Sequence, residues 1–176
     1  MYLIAAVSDN NVIGVGHRLP WNIPRDLTWF KMHTINSIII MGRKTWASLP
    51  KKPLPGRIHI ILSRECHHYE NNVFWCTSMA EAIRLAKLHH MNVFVIGGAE
   101  IFHQALLSNH VTHAILTRVH TIIEHPSAVS MVMPRMKSMW SSKQFKHQNY
   151  SYHFEIAKVI QRKVPKWPDA IRMDDL

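Results

Sequence analysis

The stretch Ser37-Ile38-Ile39-Ile40-Met41-Gly42-Arg43-Lys44-Thr45-Trp46 decides the fold class. Ile38 to Met41 is a short continuous apolar run, as a strand buried on both faces of a parallel sheet requires. Gly42 ends the run, and Arg43 to Trp46 then begin a short helix. A strand, a glycine and a helix N-terminus carrying two cations form either a phosphate seat or an ordinary strand-to-helix turn. These residues alone leave the two readings level.

The same grammar repeats on either side. Tyr2 to Val7 reads as a first buried strand, and Arg57 to Ser63, Val73 to Trp75, Val93 to Ile96 and Ala114 to Val119 read as further ones. Between them a helix begins near Pro24, where a proline's missing N–H is not needed. Another begins at Ser78, because Ser78-Met79-Ala80-Glu81 is a capping box, and Met79, Ala82, Ile83 and Ala86 keep helical spacing behind it. Gly97-Gly98 leads into a third, from Ala99 to about Leu107. Strands alternating with helices predict an α/β sandwich around a mostly parallel, twisted sheet with helices on both faces. Tyr150, Tyr152, Phe154 and Ile156 alternate with polar residues, which predicts an antiparallel C-terminal strand near the sheet edge.

Ser8 to Leu19 is polar, contains Gly14 and Gly16, and reads as a mobile loop. From His120 to Gln148 only loops are legible. Residues 1–160 are expected to form one domain, and Gln161 to Leu176 a polar C-terminal extension, strapped to the surface or frayed. Ligands in such sheets bind where strands end and helices begin, and Gly42 and Gly97-Gly98 lie at such junctions. Gly-x-Gly-x-x-Gly is absent, together with the ribose-binding acid expected downstream of it.

No apolar run approaches a membrane span, and the N-terminus reads as a strand with no basic region before it, so a cytoplasmic protein is expected. Cys66 and Cys76 fit no metal spacing and read as reduced and structural or incidental. The formal charge of +10 favours anionic partners: nucleic acid, a phosphorylated cofactor or a carboxylate substrate. The basic residues are dispersed, so no nucleic-acid arm is indicated. The 14 histidines contain no His-Glu-x-x-His motif, and surface solvation is the default for them, so no metal is expected.

One acid stands out in Pro20-Trp21-Asn22-Ile23-Pro24-Arg25-Asp26-Leu27-Thr28-Trp29-Phe30. A helix from Pro24 puts Asp26, Leu27 and Phe30 on one face, since 3.6 residues make a turn. An Asp in a first helical turn ordinarily complements the helix dipole. From Leu27 to Pro168, however, there is no other Asp, and a carboxylate buried among apolar side chains must be paired or functional.

Taken together, the landmarks resemble the dihydrofolate reductase family. The matching pieces are Leu3-Ile4-Ala5-Ala6, Val12-Ile13-Gly14, Leu19-Pro20-Trp21-Asn22, Asp26-Leu27, Trp29-Phe30-Lys31, Met41 to Trp46, Pro53-Leu54-Pro55-Gly56-Arg57, Ile61-Leu62-Ser63-Arg64, Ile96-Gly97-Gly98-Ala99, Leu116-Thr117 and Tyr152-Phe154-Glu155, in the family's order. The resemblance implies a dihydrofolate-reductase-like three-layer sandwich and NADPH-dependent reduction of dihydrofolate to tetrahydrofolate, with hydride passing to the pterin. It implies as partners dihydrofolate, its polyglutamylated forms and antifolates, in a monomer that binds neither membrane nor nucleic acid. By the same resemblance Asp26 is the acid of the pterin pocket, promoting protonation of N5. Thr117 bonds that carboxylate, and Trp21 holds a bridging water. Ile4, Ala5, Leu27, Phe30, Lys31 and Leu49 line the substrate pocket, and Arg57 grips the glutamyl carboxylate, a task for its planar fork. Taken alone, Arg57 reads as a solvated arginine at a strand start.

On the cofactor side the resemblance implies Ala6, Ile13, Gly14 and Leu19 around the nicotinamide, under a lid running from Asn10 to Leu19. Arg43, Lys44 and Thr45 would hold phosphates at one helix start, and backbone amides at Gly98, Ala99, Glu100 and Ile101 at another, while Gly42, Ser48, Ile96, Gly97 and, near the nicotinamide, Phe102 would also contact the cofactor. The Gly-Gly bond would be cis. Leu62, Ser63 and Arg64 would meet the adenosine 2′-phosphate, which selects NADPH over NADH. Three features depart from the family. Val129-Ser130-Met131-Val132-Met133-Pro134 lacks the acid that bonds the lid, which predicts a lid held less firmly or closing with different timing. Phe102 replaces a common Tyr, and Lys51-Lys52 lengthen the loop before Pro53. Rival readings are a pteridine or flavin-precursor reductase on the same fold, and a reductase-like scaffold recruited for nucleic acid or assembly.

Overall fold

A computed structural model describes residues 1–16, 18–65 and 71–160. The C-terminal extension and Cys66 lie outside the described residues. Six parallel strands carry the fold: β1 (Tyr2–Ser8), β3 (Ser37–Gly42), β4 (Arg57–Leu62), β5 (Val73–Cys76), β6 (Val93–Gly97) and β7 (His113–Val119). They lie in the order β7-β1-β6-β3-β4-β5. The long strand β11 (Tyr150–Val159) pairs antiparallel with β7. Its outer edge is shared by β10 (Phe145–His147) and β9 (Met136–Ser141), so β11 lies one strand inside the edge.

Alternation along each strand explains the three layers, since successive side chains point to opposite faces. In β3, Ile38 and Ile40 face one cluster with Leu3, Ile60, Val95 and Leu116, and Ile39 and Met41 face another with Ile4, Ile61, Phe94 and Ile115. The first cluster is covered by α3 (Met79–Lys87) and α4 (Ala99–Leu107), through Met79, Ala82, Ile101, Phe102 and Leu106. The second is flanked by α1 (Pro24–Thr34) and α2 (Arg43–Ser48), through Trp29, Phe30 and Trp46. The sandwich expected from the alternation of strands and helices is the one observed.

Three local expectations are corrected. Ser8 to Leu19 is not all loop: β2 (Val12–Val15) lies within it and pairs with β8 (Ala128–Ser130). The region from His120 to Gln148, legible only as loops, supplies β8, β9 and β10. These strands are short or exposed: β8 pairs with the distant β2, β9 lies on the outer side of β11, and β10 closes a tight hairpin with β11, so none carries a readable apolar pattern of its own. The Ser78 hydroxyl accepts the Glu81 N–H as a capping box requires, but the Glu81 carboxylate reaches the N–H of Thr77 rather than that of Ser78.

The connections place the site. From β1 the chain passes to α1 on one face, whereas from the adjacent β6 it passes to α4 on the other. Neighbouring strands whose connections part in this way leave a crevice outside their carboxyl ends, and ligands bind there. Ala5 and Ala6 end on one lip of it, and Gly97 and Gly98 on the other.

Candidate active site

Asp26 sits in the first turn of α1, yet its carboxylate does not cap the helix. It is 8% exposed and turned inward, where the Thr117 hydroxyl of β7 donates to its Oδ1 at 2.5 Å. Thr117 lies beside Ala6 in the sheet register, which places the pair at the rim of the crevice. Burial raises the Asp26 pKa above the usual carboxylate value, and the Thr117 hydrogen bond partly opposes it. The apolar surroundings are less closed than helical spacing predicted. Phe30 is half-buried, but Leu27 is 57% exposed, because the arc from Asp26 to Leu27 carries its side chain past the buried edge of the helix.

Arg57 is not a solvated arginine. It is 7% exposed; its Nε donates to Thr34 Oγ1 at 3.0 Å and its Nη1 to the Pro55 carbonyl at 2.9 Å. Burial lowers its pKa, but a guanidinium remains charged at any physiological pH. Thr34, which sequence reasoning missed, ends the same helix that carries Asp26, eight residues on. At 1.5 Å per residue the two charged groups are anchored about 12 Å apart along α1. Lys31, on the turn between them, is exposed, and Leu49 is half-buried against the second cluster.

Across the crevice, two helices begin at adjacent strand ends. The N-cap of α2 is Gly42 at the end of β3, and that of α4 is Gly98 just past the end of β6. A side chain on Gly42 would come within 3.0 Å of Ile101 Cγ1. Gly97 has φ of +122°, the Gly97–Gly98 bond is cis, and Phe102 packs 2% exposed against that turn. The Thr45 Oγ1 approaches the same turn, 3.6 Å from where a Gly98 side chain would start. The glycines thus let Ile101, Phe102 and Thr45 pack closely around the turn, and the two helix starts, each with free N–H groups able to seat an anion, lie at the ends of adjacent strands. Arg43 and Lys44 stand exposed beside it. Ser63 and Arg64 follow β4, one strand further along. With strands about 4.8 Å apart, these positions run for about 10 Å across the strand ends, which suits an extended ligand with several phosphates.

Comparison with known proteins agrees with this geometry. Residues 1–160 match the family described as dihydrofolate reductase. The chain is 36% identical over 156 residues to a protein named dihydrofolate reductase from Buchnera aphidicola of Acyrthosiphon pisum (strain APS), covering 88% of this chain and 96% of the relative. It is 37% identical over 159 residues to the protein of that name from Buchnera aphidicola of Schizaphis graminum (strain Sg), covering 86% and 93%. The chain belongs to the dihydrofolate reductase family.

As a member of the dihydrofolate reductase family it is an oxidoreductase, and the family implies a nicotinamide cofactor. The two helix N-termini at adjacent strand ends, with no side chain on Gly42, Gly97 or Gly98 and with Arg43 and Lys44 exposed nearby, fit a pyrophosphate-bearing group. Other expected residues are placed as follows. Trp21 is 6% exposed and its indole N–H has no partner within the protein. Ile4 is buried, whereas Ala5, Ala6, Ile13, Gly14 and Ile96 are half-buried and Leu19 is exposed. Ala99, Ile101 and Leu62 are buried, and Glu100 accepts a hydrogen bond from Gln104 at 2.9 Å. Two hydroxyls are already engaged locally: Ser63 accepts from Glu65 N–H at 3.2 Å, and Ser48 donates to the Thr45 carbonyl at 2.8 Å.

The loop expected to be the lid is tied down by main-chain bonds. Val12, Gly14 and Val15 face Ser130, Val129 and Ala128, and the Met131 N–H donates to the Asn11 carbonyl at 2.9 Å. Cys76 is buried, and burial, with the nearby Glu81 charge, pushes its thiol up to about 12, which makes it inert. Among the described residues no helix is long and apolar enough to cross a membrane.

Proposed function

We propose that this protein reduces 7,8-dihydrofolate to 5,6,7,8-tetrahydrofolate with NADPH, taking up one proton at N5 as hydride arrives at C6. The observation that carries this reading is the buried Asp26, bonded to Thr117 at the rim of the crevice and lying on α1, whose last residue, Thr34, accepts from Arg57 of β4. NADPH, when bound, supplies the hydride. All else is done by this chain's own residues.

Asp26 receives the N3–H and 2-amino group of the pterin, a planar pair of donors that matches a carboxylate edge to edge. Thr117 occupies Oδ1 and fixes the carboxylate's orientation. A raised Asp26 pKa suits the task, because a group that takes up a proton more readily holds one at a higher pH to pass toward N5. Trp21 offers its unpartnered N–H to a water that relays the proton. Arg57 holds the α-carboxylate of the glutamyl tail about 12 Å along α1, the direction in which the benzoyl group runs past Leu27, Phe30, Lys31 and Leu49. Ile4 and Ala5 close the pterin pocket from β1.

The N-termini of α2 and α4 take the pyrophosphate, and Ser63 and Arg64 take the 2′-phosphate that distinguishes NADPH. Ala6, Ile13, Gly14 and Leu19 flank the nicotinamide under the lid and keep water from it. The measurement that tests this is the loss of NADPH absorbance on adding dihydrofolate, with Asp26→Asn alongside. Rapid oxidation by the parent and little by the variant is the expected result. NADPH binding without oxidation would turn the search to other carboxylate-bearing reducible rings.

A further inference from the structure

β4 carries a histidine where the fold asks for an apolar residue. Its alternation sends Ile58, Ile60 and Leu62 to the α3–α4 side, and Ile61 to the α1–α2 side together with Arg57 and His59. His59 is 0% exposed, lies beside Ile39 of β3 and Val73 of β5 in register, and meets the Trp46 ring edge-on at 5.3 Å. Burial, and to a smaller degree the charge of Arg57, lower its pKa, so the imidazole is neutral. The Asn72 and Arg57 carbonyls lie near enough to pull the pKa part of the way back, but Nδ1 makes no well-aligned bond.

The one well-formed bond of the ring goes to the neighbouring loop. Nε2 accepts the Leu54 N–H at 3.0 Å. The next residue, Pro55, supplies the carbonyl that takes Arg57 Nη1 at 2.9 Å, and the Gly56 carbonyl takes the Asn36 N–H at 2.7 Å. Three consecutive residues are therefore pinned, and His59 pins the first. Its imidazole is the only side chain among those three bonds besides Arg57 itself.

We propose that His59 is a positioning residue for Arg57, holding Leu54 and Pro55 so that the guanidinium presents its remaining N–H groups to the carboxylate tail of the substrate. This inference rests on the reading of Arg57 as the tail clamp. His59 touches neither the reacting ring nor the acid, so it acts on binding of the tail and leaves the chemical step alone. A glutamine at 59 can put its side-chain oxygen near the place of Nε2 and still accept the Leu54 N–H; a leucine cannot.

The test compares His59→Leu, His59→Gln and the parent on two substrates, dihydrofolate and a dihydropterin lacking the benzoylglutamate tail. His59→Leu should raise the dihydrofolate KM about tenfold with kcat little changed, as expected when a buried N–H loses its acceptor and the loop shifts. It should leave the KM for the tail-less pterin at the parent's value, and His59→Gln should restore most of the loss. Where leucine prevents folding, His59→Met serves as the second apolar variant. An equal rise in KM for both substrates, a fall in kcat at unchanged KM, or no rescue by glutamine overturns the inference and leaves the reductase reading intact. No NADPH oxidation by the parent overturns the reading, and the inference with it.

Discussion

The two lips of the crevice are built on different principles. The α1 side works through charged side chains that are buried and individually partnered: Asp26 with Thr117, and Arg57 with Thr34 and Pro55. The side formed by the starts of α2 and α4 works through backbone groups, with glycines keeping the approach clear. A buried charge is costly and specific, since each has one geometry that satisfies it. A row of N–H groups is tolerant of ligand detail and depends on main-chain shape. Side-chain chemistry should therefore fail at single atoms on the first lip, and only through backbone geometry on the second.

The largest effect should come from Asp26→Asn. Loss of the acid should lower kcat about 10²- to 10⁴-fold near neutral pH, with NADPH affinity, read by fluorescence titration, unchanged. The same variant tests the burial. The folded-state pKa of Asp26 is raised, so ionising it costs the fold stability as pH climbs through that value. Asp26→Asn should melt at a higher temperature than the parent at pH 7, and at the same temperature once both folded and unfolded carboxyls are protonated.

Arg57→Lys should come next, raising the dihydrofolate KM about 10- to 100-fold with kcat nearly kept, because an ammonium cannot reproduce the fork held by Thr34 and Pro55. On the other lip, Gly97→Ala forces a side chain into a backbone at φ of +122°. Strain of about 1–3 kcal/mol should appear as a lower melting temperature and weaker NADPH binding, even though no functional side chain is lost. Thr117→Val should reduce kcat several-fold. The Thr117 bond holds the Asp26 pKa down in part, so its loss should shift the carboxyl-dependent limb of the pH–rate profile to higher pH. Ser130→Ala should have the smallest effect. If lid anchoring is a matter of backbone pairing between β2 and β8, turnover and NADPH release should match the parent's, and a marked change would show that a side chain does the holding.

The parts legible in advance are those governed by near neighbours in the chain. The apolar run from Ile38 to Met41, the Ser78 cap and the glycines at strand ends each impose a local geometry whatever lies around them. These set the strands, the helices and the junctions where a phosphate could sit. Scarcity marked out Asp26, because a lone acid in an apolar helical turn needs an explanation. Its partner came from family likeness, and the distance and burial from the structure alone.

What tertiary structure decided was pairing across long separations. Thr117 meets Asp26 from 91 residues away, and Thr34 meets Arg57 from 23. No periodicity announces such a bond. It exists because β1, β7 and α1 are stacked by a sheet whose order differs from chain order. The short strand β8 is illegible for the same reason, since its partner β2 lies far away in the chain, whereas β10 closes a local hairpin with β11 but has too few residues to bury a face of its own. Sequence determined the buried strands of the central sheet and the helices between them, since backbone sterics and local burial act within a few residues. Only the closed fold determined which polar groups lose water together, and that loss is what sets Asp26 and Arg57 apart from ordinary surface charges.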